Sequence, residues 1–457
     1  MTPLALLALT ACEPNSAATH GPPETDTHAL PSSPPIASCE PDPSGNALRF
    51  RCQLEPPGPA TFTFQPSDGS RPPRTHSGED EVWLYFMAPQ TEYTWRASPD
   101  THPSHEITGV VTTGLLPSGA QLDATHSGST SASMVLTSSP CSGGTALVVD
   151  PTGTVLWYED LSQPGIQPAM VDVVHLTEEE TVLGLISAYV VEVDWSGRER
   201  LVLTPGFDTG TTAHHDVFRR KGHTYTLFYE EVDLGGDTTR VDGFTVHDAT
   251  GVLVATWRLL DHFTPPIPPV GSGGLVDYSH ANSLFVQEDG DILISFRHLS
   301  TVAKIRGDWT APDFGEILWR LAGDVDNAEM GSDFTLGSAG NWPGFIHQHH
   351  AIPLPDGRLS LFDNRKDLSQ RSRVVVIDLD ETRGEAQMDQ VYELDRFCPF
   401  QGSSWTTEIG NPVATCATDG SAIEFDAQTN GAARFELSLG CSTGSSHFIS
   451  RFVPFSL

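Results

Sequence analysis

From about residue 128 to the C-terminus the apolar positions fall into short runs, and one phrase keeps returning: an apolar segment, a turn closing on glycine, and a second apolar segment. It reads A-L-V-V-D-P-T-G-T-V-L-W at 146–157, V-V-E-V-D-W-S-G-R-E-R-L-V-L at 190–203 and F-T-V-H-D-A-T-G-V-L-V-A-T-W at 244–257. It returns as V-V-V-I-D-L-D-E-T-R-G at 374–384 and A-I-E-F-D-A-Q-T-N-G-A-A-R-F-E-L at 422–437. A second phrase alternates with it: L-F-V-Q-E-D-G-D-I-L-I-S-F at 284–296 and A-I-P-L-P-D-G-R-L-S-L-F at 351–362. Runs this short, rich in Val and Ile and bounded by glycine turns, read as β-hairpins, and no segment carries a convincing helical period. Two hairpins make a four-stranded unit. Roughly 330 residues in units of about 50–60 predict a β-propeller of about six blades over 119–457.

The region before it, 39–118, alternates more strictly, in A-L-R-F-R-C-Q-L, A-T-F-T-F and E-V-W-L-Y-F. This predicts a small β-sandwich, and the stretch A-P-Q-T-E-Y-T-W-R-A at 88–97 resembles the end of a fibronectin type III domain. L-P-S-G at 116–119 reads as the linker. The predicted fold is therefore all-β throughout. At the N-terminus, L-T-A-C at 9–12 reads as a lipobox in which Cys12 is lipidated. The apolar stretch before it is short and lacks a basic n-region, so the true start is expected upstream. Residues 13–38 are a Pro-rich tether that has no core to bury. The expectation is an exported bacterial lipoprotein, facing the periplasm or lying at the outer-membrane surface, held by its lipid anchor. Glu13 after the cysteine is compatible with the outer membrane.

Charge narrows the partners. The 457 residues carry 59 Asp and Glu against 25 Lys and Arg, a net charge of −34, which excludes the basic footprint of a nucleic-acid binder. After the first dozen residues no apolar run approaches the ~20 needed to span a bilayer. Without Cys12 an even set of cysteines remains: Cys39, Cys52, Cys141, Cys398, Cys416 and Cys441. Six cysteines allow about fifteen connectivities, and all stay open. Cys39–Cys52 and Cys398–Cys416 are the local choices, after which Cys141–Cys441 would join the two ends of the larger domain. No C-x-x-C spacing occurs, so zinc and thioredoxin chemistry are not expected, and an oxidising compartment is. Nothing in the sequence bears on oligomeric state.

Of the 18 histidines, several open the inner-strand phrase of different blades. His214 and His215 lie in T-A-H-H-D-V-F, His280 precedes Asn282 in D-Y-S-H-A-N-S-L-F, and His347, His349 and His350 lie in H-Q-H-H-A-I-P-L. Equivalent positions in a propeller lie on one ring around the axis, so these side chains should converge at one face. Arg297 ends the strand after His280, and Asp363-Asn364 is its counterpart in the next blade. Imidazolium, guanidinium and carboxamide N–H groups all donate to sulfate or phosphate oxygens, and a neutral imidazole is a nucleophile. No H-E-x-x-H occurs, and neither a metal nor an organic cofactor is expected.

In these residues the chain resembles the bacterial arylsulfate sulfotransferase family, which needs no nucleotide sulfate donor. The resemblance runs in order through H-H-D, D-Y-S-H-A-N-S-L, D-I-L-I-S-F-R, G-E-I-L-W-R-L-A-G-D, H-Q-H-H-A-I-P-L-P-D-G-R-L-S-L-F-D-N and S-R-V-V-V-I-D-L-D. It covers roughly 210–440, and residues 1–120 share only the general architecture. It implies an exported propeller with a small N-terminal β-domain. The implied reaction moves a sulfuryl group from an aryl sulfate to a phenol through a sulfo-histidine. Carried over by motif, His349 is the nucleophile, and His280 and Asn282 bind sulfate and assist proton transfer. Arg297 clamps sulfate, and His215 is the first-blade histidine. Asn364, His347 and His350 are expected at the substrate, with Arg373 in support. His350 departs from the family pattern, which leads one to expect an acidic or small residue there. A last-blade ligand within Ser403–Thr407 rests on a degenerate phrase. Three other readings compete: a hydrolase on the same site, a surface propeller that only binds a ligand or partner, and a metal-dependent propeller hydrolase. The C-x-P-x-R phrase of the formylglycine sulfatases is absent.

Overall fold

The computed structural model describes residues 35–165, 171–204, 211–266, 274–324, 329–337, 342–429, 431–442 and 448–456. Cys12 and most of the tether lie outside them. The described chain is all-β, with only two short 3₁₀ turns, Ser118–Ala120 and Leu259–Asp261.

Two sheets form the N-terminal unit. One pairs Ile36–Pro41, Phe50–Glu55 and Glu81–Leu84, and the other runs Arg74–Gly78, Ala60–Pro66, Glu92–Pro99, Ile107–Thr112. Their alternating inward residues meet in one core of Phe50, Leu54, Phe62, Phe64, Leu84, Tyr93 and Trp95. The Tyr93 hydroxyl accepts from the Ala88 N–H at 2.7 Å, tying the start of its strand to the preceding loop. This unit docks on the rest of the molecule through polar and apolar contacts together. Buried Arg49 donates to Glu159 at 2.5 Å, and Phe86 packs against Trp195.

Six sheets follow, antiparallel except for one short parallel strand in each of two, and each has its own innermost strand. In chain order these innermost strands are Val171–Leu176, Thr212–Arg220, Ala281–Val286, His349–Pro353, Ser403–Thr406 and, from the C-terminus, Phe452–Phe455. Phe452–Phe455 completes the sheet of Met134–Ser138, Thr145–Val149 and Val155–Asp160, while Leu122–Gly128 adds an outer strand to the sheet of Ser403–Thr406. Each sheet packs on the next, and Ser403–Thr406 touches Phe452–Phe455, so the series closes on itself. Middle strands such as Thr145–Val149, Val182–Ile186, Ile292–Phe296 and Thr301–Ile305 are buried at every residue, because neighbouring sheets cover both faces. Outer strands such as Glu385–Glu393 alternate instead.

The recurring turns have one cause. In D-P-T-G, D-W-S-G and D-A-T-G the Asp carboxylate accepts from the backbone N–H two and four residues on: Asp150 from Thr152 and Thr154, Asp194 from Ser196 and Arg198, Asp248 from Thr250 and Val252. The fourth residue then needs a left-handed backbone, and Gly153, Gly197 and Gly251 take φ near 80–84°. The six described cysteines pair as Cys39–Cys52, Cys141–Cys441 and Cys398–Cys416. The Cys141–Cys441 bridge spans 300 residues and clamps the closing sheets together.

Candidate active site

Four of the six innermost strands carry a break in their ladders near their first residues. The register shifts between Val171 and Val173, Ala213 and Val217, Ala281 and Ser283, and His349 and Ile352. Such bulges turn side chains away from the sheet plane and toward the ring axis. The backbone is correspondingly unusual: His215, His280, His347 and His350 all take positive φ, between 47° and 59°. For residues with a Cβ this conformation costs of the order of 1 kcal/mol or more each and concentrates at functional sites.

The bulges aim Asp172, His215, Asn282 and His349 into one cavity of about 40 Å³, closed by Gln401, Gly402, Ser450 and Arg451. That volume holds about three waters or one small oxyanion. His349 is buried on its wall. Its Nδ1 lies 2.6 Å from Asn364 Oδ1 and 3.2 Å from the His347 carbonyl. Both are acceptors, because Asn364 Nδ2 is committed to the carbonyls of Cys398 and Gln401 at 2.8 and 2.9 Å. His349 is thereby the Nδ1–H tautomer, with its Nε2 lone pair free. Burial first, then the Arg297 charge, pushes its pKa down to about 3, so the ring is neutral at physiological pH.

His280 stands edge-on to His215, ring centroids 4.7 Å apart, and its Nδ1 bonds Asp277 Oδ2 at 2.5 Å. His298 lies on its other side at 4.6 Å, held by the Asp277 carbonyl at 2.7 Å. His215 shares an Nδ1–Nδ1 hydrogen bond of 2.7 Å with His214, whose Nε2 lies 2.8 Å from Asp242. Burial and the surrounding positive groups hold His215 well below the ordinary histidine range. Arg297 is half-buried, its backbone N–H donating to the His280 carbonyl. Among the described residues nothing pairs with its guanidinium. Its charge reaches His215, His347 and His349, lowering the pKa of all three.

Asn282 gives one N–H to the Gln348 carbonyl at 2.7 Å, leaving the other N–H and an unpartnered Oδ1. Gln401 Oε1 is likewise buried without a partner among the described residues. Orphaned polar atoms around one cavity mark a place where a polar ligand completes the bonding.

The remaining predicted residues divide. Asn364 supports His349. His347 sits half-buried beside the site, its pKa pushed down to about 4 by burial and Arg297, and its carbonyl faces His349. Strand alternation sends His350 the other way: Nδ1 bonds the Ser404 carbonyl at 2.8 Å, and the ring packs on Trp405 at 4.6 Å. Arg373 bonds Asp363 and the Gly344 carbonyl at 2.8 and 2.6 Å, fixing the segment that leads to His347.

Sequence reasoning missed the residues that hold this site together. Gln348 is fully buried, and its Nε2 donates to Ser295, Phe296 and Thr301, stapling the His349 strand to the sheet of Asn282. Beneath the cavity Asp216 accepts from His175, Arg451 and the N–H groups of Val217 and Leu284, and these partners hold its carboxyl far below the usual range. Asp172 lies outside the quoted motifs altogether. Asp277 stood inside D-Y-S-H, and its spacing to the histidine was the available signal. Asp277, His280 and His298 also bring three ligand atoms within 4.8 Å of one another, the described group best placed to take a metal ion.

Comparison with known proteins agrees with the motifs. The family model described as arylsulfotransferase (ASST) matches residues 123–440. No curated protein matches the chain. Among solved structures, a Bacteroides caccae protein of unknown function is 12% identical, covering 72% of this chain and 100% of its own, with a TM-score of 0.44. A catalytically inactive virginiamycin B lyase from Staphylococcus aureus, with quinupristin, is 8% identical, covering 70% and 99% at 0.38. The periplasmic gluconolactonase of Pseudomonas aeruginosa is 13% identical, covering 87% and 100% at 0.38. These likenesses are remote in sequence and loose in shape.

Proposed function

Because the chain belongs to the arylsulfotransferase family, we propose that it moves a sulfuryl group from an aryl sulfate to a phenol through a sulfo-histidine at His349, without a nucleotide donor. The observation that carries this reading is the state of His349: neutral, locked as the Nδ1–H tautomer by Asn364, with Nε2 free and under the charge of Arg297, whose guanidinium has no partner among the described residues. A nucleophile needs that lone pair, and a sulfate ester needs that cation.

In this reading Arg297, His280 and the spare N–H of Asn282 hold the sulfuryl oxygens. His349 Nε2 attacks sulfur in line as the aryl oxygen leaves, and a second phenol reverses the step, giving ping-pong kinetics. The supporting architecture is a six-bladed propeller over 119–457, preceded by a fibronectin-III-like sandwich over 39–118. The strand orders described above support both. Export as a lipoprotein anchored through Cys12 fits the three disulfides, since such bonds persist in oxidising compartments.

The test is intact-protein mass after incubation with an aryl sulfate and no acceptor. One sulfuryl adduct, in wild type and absent from His349→Ala, is expected. If no adduct forms and no phenol is released across a panel of donors, the reading falls. A second reading, a metal-dependent hydrolase, draws on Asp277, His280 and His298. Metal analysis and chelator sensitivity of the purified protein separate the two.

A further inference from the structure

We propose that Asp172 is the general acid–base of this site, protonating the departing aryl oxygen and later taking the proton of the acceptor phenol. The inference rests on the sulfuryl-transfer reading above.

The geometry comes first. Asp172 occupies the bulge of Val171–Leu176, as Asn282 occupies the bulge of Ala281–Val286, and both line the cavity of His349. Its backbone is pinned by the Ser450 hydroxyl, which donates to the Asp172 carbonyl at 2.5 Å. Its carboxyl has no hydrogen-bond partner among the described residues and is the one acidic group among those lining the cavity. A largely buried carboxyl, unpartnered among the described residues and on a pinned backbone, thus shares one small cavity with the His349 nucleophile.

The neighbouring charges explain why it is suited to the task. His215 of Thr212–Arg220, His349 of His349–Pro353 and Arg451 line the cavity with it, and His214 is the one neighbouring charge that acts on it, while Asp216, His175 and His350 are buried just behind. Asp216 is already paired with Arg451 and His175. Burial keeps His215, His349 and His350 neutral, so none of them lends a proton near neutrality. Burial acts on a carboxyl in the opposite sense: it pushes Asp172 up to about 7, with only the charge of His214 pulling the other way. An acid with that value both gives and takes a proton at physiological pH. A neutral Asp172 also spares the incoming sulfate a like charge.

The atoms balance. As the His349 Nε2–S bond forms and the S–O bond to the donor aryl group breaks, the Asp172 proton passes to the leaving oxygen, releasing a neutral phenol. In the second half the acceptor O–S bond forms and the N–S bond breaks. The acceptor proton passes to the Asp172 carboxylate, restoring the starting state.

The experiment compares wild type, Asp172→Asn and Asp172→Glu on aryl sulfates of graded phenol acidity. General acid catalysis contributes on the order of 10²–10⁴-fold. The expected result for Asp172→Asn is a loss of about tenfold or less with 4-nitrophenyl sulfate, whose leaving group needs little help. With phenyl sulfate the loss should be about 100-fold or more, and Asp172→Glu should recover part of it. An equal loss across all donors, or no loss, overturns the proposal. An infrared pH titration gives an activity-free reading. A protonated carboxyl persisting near neutrality in wild type and missing from Asp172→Asn is expected, and its absence overturns the proposal even if the sulfuryl adduct on His349 forms. A wild type that shows the carboxyl signal but forms no adduct with any donor sinks the transfer reading, and the acid–base role with it.

Discussion

His349 Nδ1 lies 2.6 Å from Asn364 Oδ1, and the carboxamide cannot turn round, because its nitrogen serves the carbonyls of Cys398 and Gln401. Cys398 is in turn bonded to Cys416. A structural bridge between the loop before Ser403–Thr406 and the strand Pro412–Cys416 therefore ends at the tautomer of a ring nitrogen. At metal sites, removing the partner that orients a histidine typically costs about 10–100-fold, and the same order is expected where the partner fixes a nucleophile's tautomer. Asn364→Leu should slow sulfuryl-adduct formation by that factor while leaving donor affinity nearly intact, measured by single-turnover phenol release. Asn364→Asp tests the sign. A carboxylate beside Nδ1 favours the imidazolium, so the His349 pKa rises from its value of about 3. Adduct formation in that variant should fall as pH drops through the new pKa, where wild type shows no such fall from His349.

The buried histidines also set the acid limit of the fold. His349 is held to about 3, and His76 and His347 to about 4, each mainly by burial. Their unfolded values lie near 6.5. Between these values the unfolded chain binds more protons than the native one, so stability is full above about pH 6.5 and declines as pH falls toward 3–4. Thermal unfolding followed from pH 8 to pH 4 should show a falling Tm. In His349→Gln the slope should be shallower. An unchanged slope would mean that His349 takes up protons in the folded state near its ordinary value.

Much of this was legible before the structure. The glycine turns and short apolar runs gave the hairpins, since an Asp two residues before a turn N–H and a glycine after it write the same local geometry each time. His215, Asn282 and His349 were legible because repeat position puts them on one ring. What stayed hidden depended on contacts across sheets. Gln348 reads as one letter of H-Q-H-H, yet its carboxamide reaches three acceptors about fifty residues away. Asp172 lies in V-D-V-V-H, which no motif distinguishes from any strand, and only closure of the ring brings it to His349. The direction of His350 was not legible either, because the bulge after His349 decides which of two adjacent histidines faces the cavity.

Beneath the site, Arg451 and Asp216 are both buried and 2.7 Å apart, with His175 donating to Asp216 and its ring packed against the Arg451 guanidinium. Removing one member of a buried pair leaves an uncompensated charge and costs about 3–5 kcal/mol. Arg451→Met should lower the unfolding free energy by that amount in denaturant titrations. Replacing both partners together, as Arg451→Met with Asp216→Leu, should recover a large part of the loss. A single variant as stable as wild type would show that Asp216 is neutral or hydrated in the native protein.

Arg297 presents the opposite case, a cation with no partner among the described residues, so its worth lies in ligand binding rather than in the fold. Arg297→Ala should unfold at nearly the wild-type denaturant concentration. It should lose kcat/KM for aryl sulfates by roughly 100-fold, the order expected when a desolvated charge-assisted contact worth 2–5 kcal/mol is removed. Lysine supplies a point charge without the planar fork that meets two sulfuryl oxygens at once, so Arg297→Lys should recover only part of that loss. A second consequence separates charge from contact. The Arg297 charge lowers the His349 pKa, after burial the largest effect on it. In Arg297→Ala that pKa should rise, while in Arg297→Lys it should stay low. A pH profile of adduct formation therefore distinguishes the two variants even where their rates at neutral pH are similar. Equal profiles would mean that the guanidinium acts on His349 only through the bound donor.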